Sequence, residues 1–261
     1  MTTLDYEYKG LIAQAWDLLR GDTSRWEDRF YYLEVIRRQG QPVLDVGCGT
    51  GRLLLDYLAQ GFDVDGVDNS PEMLALCRQK AAAQGLQPRL YEQAMEALDL
   101  PRRYQVILVP SSSLQLVIEP AQAAQAVACL AAHLRPGGLL VASVMTLWKA
   151  GEPLESEWEK SVARPEDGAV VRRVARSRYD PAEECEHTED LYQVLVNGRV
   201  AAEERHRRSP ATRSYTPAQA SALLAGAGLV DVQVHSGFTF EPARPEDGLF
   251  VVSGRRPAAG A

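Results

Sequence analysis

The chain has 261 residues, 46% of them hydrophobic and 24% charged, with a net charge of −7. That balance suits a globular protein able to bury a core, as one large domain or one domain carrying an insertion. No run approaches the roughly 18 apolar residues of a membrane span, and acids and bases are too evenly interspersed to suggest a nucleic-acid surface.

Residues 1–41 are rich in aromatics (Tyr6, Tyr8, Trp16, Trp26, Phe30, Tyr31, Tyr32) and read as a helical lid region ahead of the first strand. PVLDVGC at 42–48 is a buried strand ending in a glycine-rich turn. A helix from about Arg52 to Gln60 places Leu54, Tyr57 and Leu58 on one face, and Gly61 stops it as a left-handed C-cap. FDVDGVD at 62–68 is the second strand. Ser70 and Pro71 then read as N-cap and first helical residue, with Met73, Leu74 and Cys77 turned inward and the helix ending before Gly85. Strands follow at 88–94 and 104–110. An alanine-rich helix from Pro120 to Leu134 is closed by Arg135-Pro136-Gly137-Gly138, and a fifth strand covers 139–145. Strands alternating with helical crossovers predict a doubly wound α/β sheet.

The pattern changes after Trp148. Residues 154–209 are charged and alternating, with Asn197-Gly198 as a type I′ hairpin signal, and read as a three-stranded antiparallel insert. The run Arg205-His206-Arg207-Arg208 reads as a solvated strand face. Thr216-Pro217-Ala218-Gln219 is a capping box, and 230–235 and 248–256 supply two last strands. The expected fold is a doubly wound seven-stranded mixed β-sheet carrying a small antiparallel β insert over its carboxyl edge. The sheet domain comprises 42–150 and 210–261, and the insert 151–209.

Chemistry concentrates in Asp45-Val46-Gly47-Cys48-Gly49-Thr50-Gly51. In an open parallel sheet, ligands sit beyond the carboxyl ends of the strands at the switch point, and glycine lets backbone approach them closely. A phosphate-binding loop would need Gly-Lys-Ser/Thr, where this chain has Gly51-Arg52-Leu53. A dinucleotide fingerprint needs GxGxxG, where the spacing is GxGxG. A methionine-nucleoside site remains. There Asp45 would face the ligand's amino group, directly or through water, and Asp68 would accept from both ribose hydroxyls.

VLDVGCGTGRLL (43–54), GVDNSPEMLALC (66–77), LRPGGLLVASV (134–144) and SYTPAQASALLAGAGL (214–229) together resemble the class I S-adenosylmethionine-dependent methyltransferases, whose fold is Rossmann-like. The insert is similar to the β-layer of the amino-sugar N,N-dimethyltransferases and of glycine N-methyltransferase. The resemblance implies S-adenosyl-L-methionine as cofactor. Gly47, Cys48 and Gly49 would line its methionine part, Asp68 the ribose, and Asn69 and Met73 the adenine. Where the family often carries an acid for the adenine amino group, this chain has Ala94, so Met95 is expected to offer a backbone amide.

A sulfonium methyl is already activated, so positioning is the main catalytic device and a general base is optional. Ser111 is expected at the cofactor, with Ser113 or Gln115 facing the acceptor. The alternative for this loop is serines satisfying their own backbone. The Asn/Asp-Pro-Pro-Tyr motif of nucleic-acid amino methyltransferases is absent, which points to a small-molecule acceptor, methylated on nitrogen or oxygen. Tyr6, Trp16, Tyr31, Tyr192, Arg213 and Tyr215 are acceptor-side candidates, with core packing as the alternative for the aromatics. The four cysteines and four histidines are scattered, so no metal is assigned. The N-terminus lacks a leader pattern, and a cytoplasmic location is the expectation. The insert's edge strands are candidates for a homodimer contact. A non-catalytic cofactor-binding protein and a nicotinamide-dependent oxidoreductase stand as alternative functions.

Overall fold

The computed structural model describes residues 8–258. Two helices, α1 (Gly10–Arg20) and α2 (Glu27–Gln39), precede β1 (Val43–Val46). Then follow α3 (Arg52–Ala59), β2 (Val64–Asp68), α4 (Pro71–Ala83), β3 (Arg89–Glu92), β4 (Tyr104–Val109), α5 (Pro120–His133) and β5 (Leu134–Met145). The insert contributes β6 (Glu155–Ala163), β7 (Val170–Asp180), β8 (Cys185–Val196) and β9 (Arg199–Arg213), and the chain closes with α6 (Pro217–Gly226), β10 (Val230–Ser236) and β11 (Leu249–Arg255).

The main sheet has seven strands in the order β10-β11-β5-β4-β1-β2-β3. β1 to β5 run parallel, whereas β11 is antiparallel to both β5 and β10. The order reverses between β1 and β4, and the gap at their carboxyl ends is the switch point. Side chains alternate between the two faces of the sheet. Leu44, Val46, Ile107, Val109, Leu140 and Ala142 face α5 and α6, while Val43, Val106, Leu108 and Val141 face α2, α3 and α4. Apolar side chains on both faces of β1 and β4 are what a sheet covered on both faces requires.

Helix signals in the sequence act as expected. The Ser70 hydroxyl accepts from Met73 N at 3.1 Å, Thr216 and Gln219 form a reciprocal capping box, and Gly61 lies at φ +86° just past α3. Asn197 (φ 51°) and Gly198 (φ 74°) make the tight hairpin turn.

The insert departs from the sequence reading. It has four strands, ordered β6-β7-β8-β9, and β9 runs on to Arg213, past the expected end at 209. β6 escapes a hydrophobicity reading because almost all of it is exposed. It is held by its ladder to β7 and by cross-strand pairs, Glu157 with Arg176 and Glu159 with Arg172. The inner face of the insert buries Ala169, Val171, Tyr192 and Val194 against Ile12 and Ala15 of α1. Among the described residues no helix is long and apolar enough to cross a membrane.

One buried polar node ties three strands together. Asp65 on β2 is 0% exposed; its carboxylate accepts from Tyr104 Oη on β4 at 2.9 Å and from Arg89 Nε on β3 at 2.7 Å. Removing the carboxylate leaves the buried phenol without an acceptor. Asp65→Ala is expected to lower stability by about 2–3 kcal/mol, read as a lower urea midpoint. A midpoint unchanged from wild type would show that the node is dispensable.

Candidate active site

The bend after β1 is built from backbone. Gly47, Gly49 and Gly51 all have positive φ (69°, 54° and 85°), a region that L side chains enter only at a cost. Gly47 N and Cys48 N donate to Val67 O at 2.8 and 3.1 Å, which locks the bend to the end of β2. A Cβ on Gly47 would stand 2.7 Å from Ser113 Oγ, and one on Gly51 would stand 2.6 Å from Cys77 Sγ. The first contact holds the bend tight against the loop after β4. The second lets α3 start directly over α4.

A cavity of about 340 Å³ opens over this bend. Asp45 and Asp68 form its acidic floor. Asp68 is 8% exposed; its Oδ2 accepts from Gly49 N at 2.8 Å and its Oδ1 from Ser70 N at 2.9 Å. Burial raises the Asp68 pKa, while these backbone N–H groups pull it back down. Asp45 is 1% exposed and its Oδ1 has no hydrogen-bond partner. Burial pushes its pKa up to about 7, against the pull of Arg52 and with a further push from Asp68. An unpaired buried carboxylate oxygen facing a cavity is suited to a cationic donor.

The roof comes from elsewhere in the chain. Tyr8, Trp16 and Arg20 reach over from the N-terminal segment, and Arg208 from the insert. The N-terminus of α1 is held by two carboxylates, Glu72 Oε2 on Gly10 N at 2.7 Å and Glu204 Oε2 on Leu11 N at 2.5 Å. Charge of that sign at a helix N-terminus is favourable.

Comparison with known proteins gives this geometry its meaning. A family model described as methyltransferase domain matches residues 43–138, the segment that holds the bend, Asp45 and Asp68. The dTDP-3-amino-3,6-dideoxy-alpha-D-glucopyranose N,N-dimethyltransferase of Streptomyces fradiae is 28% identical over 229 residues, covering 85% of each chain. The sugar N-methyltransferase KedS8 from Streptoalloteichus sp ATCC 53650 superposes with a TM-score of 0.74 at 25% identity, covering 98% of this chain and 97% of that one. The SAM-bound amino pentose methyltransferase CalS10 from Micromonospora echinaspora gives a TM-score of 0.68 at 26% identity, over 97% and 99% of the two chains. The chain is an S-adenosylmethionine-dependent methyltransferase.

The methyltransferase brings most of the sequence-selected cofactor residues to one cavity. Asp45, Gly47, Cys48, Gly49, Asp68, Asn69, Met73, Met95 and Ser111 border it, as do Ser113 and Trp16. Ala94 does not; it is buried as the residue before a short 3₁₀ turn. Ser111 and Ser112 both take the left-handed conformation (φ 54° and 59°), a strain that clusters at functional loops. The Ser113 hydroxyl donates to Pro110 O at 2.7 Å, so the reading of serines that satisfy their own loop holds for it. Burial raises the Cys48 thiol well above its ordinary value, which removes it as a nucleophile.

Five acceptor-side expectations are corrected. Gln115 is fully buried as a clamp: its amide donates to Met145 O at 3.0 Å and Arg213 O at 2.9 Å, and its Oε1 accepts from Met145 N at 2.7 Å. Arg213 is turned onto the Ile118 carbonyl. Tyr31 packs against Phe238 and Phe240, away from the cavity. Tyr192 is buried against α1 beside His206. Tyr215 also lies off the cavity wall, packed on the core below α6, and Tyr6 lies outside the described residues. His187 is a strand residue at the far hairpin, bonded to Ser209 Oγ at 2.7 Å.

Residues that sequence reasoning passed over complete the wall: Arg20, Arg52, Ile118, Gln122 and Arg208. Arg52 forms a forked pair with Asp28, and Arg20 lies over Trp16 at 4.7 Å and Trp26 at 4.9 Å. The run at 205–208, read from the sequence as a solvated face, is divided by the fold: residues 204, 206 and 208 are half-buried, while 203, 205, 207 and 209 are exposed.

The Asp45 shift has a stability consequence. Its folded pKa, about 7, lies above the ordinary 3.8, so between those values the native state holds a proton that the unfolded chain has lost. Its contribution is therefore most favourable below about pH 4 and is lost as pH rises through about 7. Wild type should lose stability relative to Asp45→Asn across that window in the absence of ligand. Parallel pH profiles of the two proteins' urea midpoints would refute a raised Asp45 pKa.

Proposed function

We propose that this methyltransferase moves a methyl group from S-adenosylmethionine to the amino nitrogen of a small molecule, an amino sugar in the first instance. The observation that carries the acceptor is that the sugar N-methyltransferases are matched along almost the whole chain, insert included, and not only over the cofactor domain. The wall of the cavity agrees with nitrogen. Among the described residues it contains no histidine, and its two floor carboxylates are engaged with backbone or deeply buried. A hydroxyl would need a base to shed its proton as it attacks, whereas an amine arriving neutral needs none.

The cofactor supplies an electrophilic methyl on a sulfonium. This chain's own groups bind and orient. Asp45 Oδ1 takes the ammonium of the methionine part, which satisfies its empty lone pairs and lowers its pKa. The Gly47–Gly49 backbone bears against the same part, where any side chain would intrude. Asp68, already aligned by two amides, keeps free lone pairs for the ribose hydroxyls. Asn69 and Met73 flank the adenine, with the Met95 amide near its edge. Ser111 and the 116–118 wall fix the reacting end, while Tyr8 and Trp16 exclude water. Orientation of this kind supplies on the order of 7–11 kcal/mol in favourable intramolecular systems.

The test uses the whole protein with S-adenosylmethionine and a dTDP-linked 3-amino sugar, read by mass spectrometry. A gain of one methylene, or of two in succession, is expected. An acceptor oxygenated at that carbon in place of the amine should gain none, and equal turnover of the two would overturn the nitrogen assignment. Asp68→Asn should weaken S-adenosylhomocysteine binding by about 10- to 100-fold, the worth of one or two charge-assisted hydrogen bonds. Unchanged affinity in that variant would remove Asp68 from the ribose.

A further inference from the structure

The three arginines that border the cavity are in different states. Arg52 is neutralised by Asp28, and Arg20 is spread over two indole rings. Arg208 has neither kind of partner: among the described residues no carboxylate lies within ion-pair distance of it and no ring beneath it. It is nonetheless half-buried, and it turns inward because it falls on the same strand face as Glu204 and His206. Holding an unpaired cation in a partly desolvated roof is unfavourable unless something brought by a ligand compensates it.

Its place along β9 says which ligand. β9 spans the cavity between two anchors. At one end Glu204 holds the first turn of α1; at the other Gln115 and the Ile118 carbonyl hold Arg213 at the loop after β4. Arg208 lies between them along the strand and borders the same cavity as Ile118 and Gln122. The cofactor carboxylates of the floor, Asp45 and Asp68, lie at the ends of β1 and β2 instead. Under the methyl-transfer reading, on which this inference rests, the β4 side is where the acceptor enters.

We infer that Arg208 is a specificity residue that grips an oxyanion carried by the methyl acceptor, a phosphate or a carboxylate. A guanidinium presents a fork of donors matched to both groups. A cation at this point also disfavours a protonated amine, so it selects acceptors that bring a compensating negative charge and a neutral nucleophile. The RHRR run therefore divides by strand face: Arg205 pairs with Glu189 on the outside, while Arg208 serves the cavity.

The experiment is calorimetric titration of the full-length protein, first with S-adenosylhomocysteine alone, then, saturated with it, with dTDP, inorganic pyrophosphate and glycine as separate probes. S-adenosylhomocysteine should bind wild type and Arg208→Gln equally. dTDP or pyrophosphate should bind wild type, lose about tenfold or more in Arg208→Gln, and recover in part in Arg208→Lys; glycine following that course in their place would assign a carboxylate. Equal binding of every probe to wild type and Arg208→Gln overturns the inference. So does a wild type that takes S-adenosylhomocysteine but none of the probes, and this result leaves the methyl-transfer reading intact. Weaker S-adenosylhomocysteine binding in Arg208→Gln would place the arginine on the cofactor and overturn it as well. Failure of wild type to bind S-adenosylhomocysteine would strike the methyl-transfer reading itself.

Discussion

The hydrogen bond from Gly49 N to the Asp68 carboxylate, at 2.8 Å, is the joint on which the cavity depends. It crosses from the bend after β1 to the end of β2, and adds a side-chain tie to the Gly47 and Cys48 amides that donate to Val67 O. The same carboxylate accepts from Ser70 N, so it also sets where α4 begins. One side chain thus fixes a turn, a strand end and a helix start around a single point. Because both partners are backbone amides, the carboxylate is aimed without using all its acceptor positions.

A second constraint is the division of labour between floor and roof. The floor belongs to the sheet, whose central strands are buried on both faces and form the most rigid part of the fold. The roof is assembled from the N-terminal segment and the insert, held by contacts at a few points: Glu72 and Glu204 on the first turn of α1, Ser70 Oγ on Tyr8 O, and Thr50 and Lys80 on Asp17. These are polar and partly exposed, each worth far less than burial of a core side chain. On the proposed reading, the part that would grip the nucleoside is therefore the stiffer, and the part that would admit an acceptor is the one most easily opened.

Electrostatics follows the same division. The floor carries two buried carboxylates, one of them unpaired at Oδ1, beneath a rim of arginines. A zwitterionic, sulfonium-bearing nucleoside suits the first, and a polar acceptor suits the second. The chain's net charge of −7 conveys none of this, since what matters is which few charges the fold faces toward one cavity of about 340 Å³.

Local rules in the sequence settled the sheet domain. Period-two apolar runs, Ser-Pro and Thr-Pro helix starts, and glycines at helix ends and at the β1 bend depend on sterics within a few residues, so they read correctly without tertiary information. The floor residues were legible for the same reason: Asp45, Gly47, Gly49 and Asp68 sit in or beside those local signals. The insert and the acceptor side were decided only by the folded chain. β6 is held by charges on a neighbouring strand rather than by its own hydrophobicity, so nothing in its nine residues announces a strand. Gln115 and Arg208 likewise differ by what long-range packing presents to them. Gln115 meets the carbonyls of Met145 and Arg213 and closes into a buried clamp, whereas Arg208 meets open cavity. A polar side chain's role is set by the partners within about 3 Å of it, and those of Gln115 lie 30 and 98 residues away in sequence.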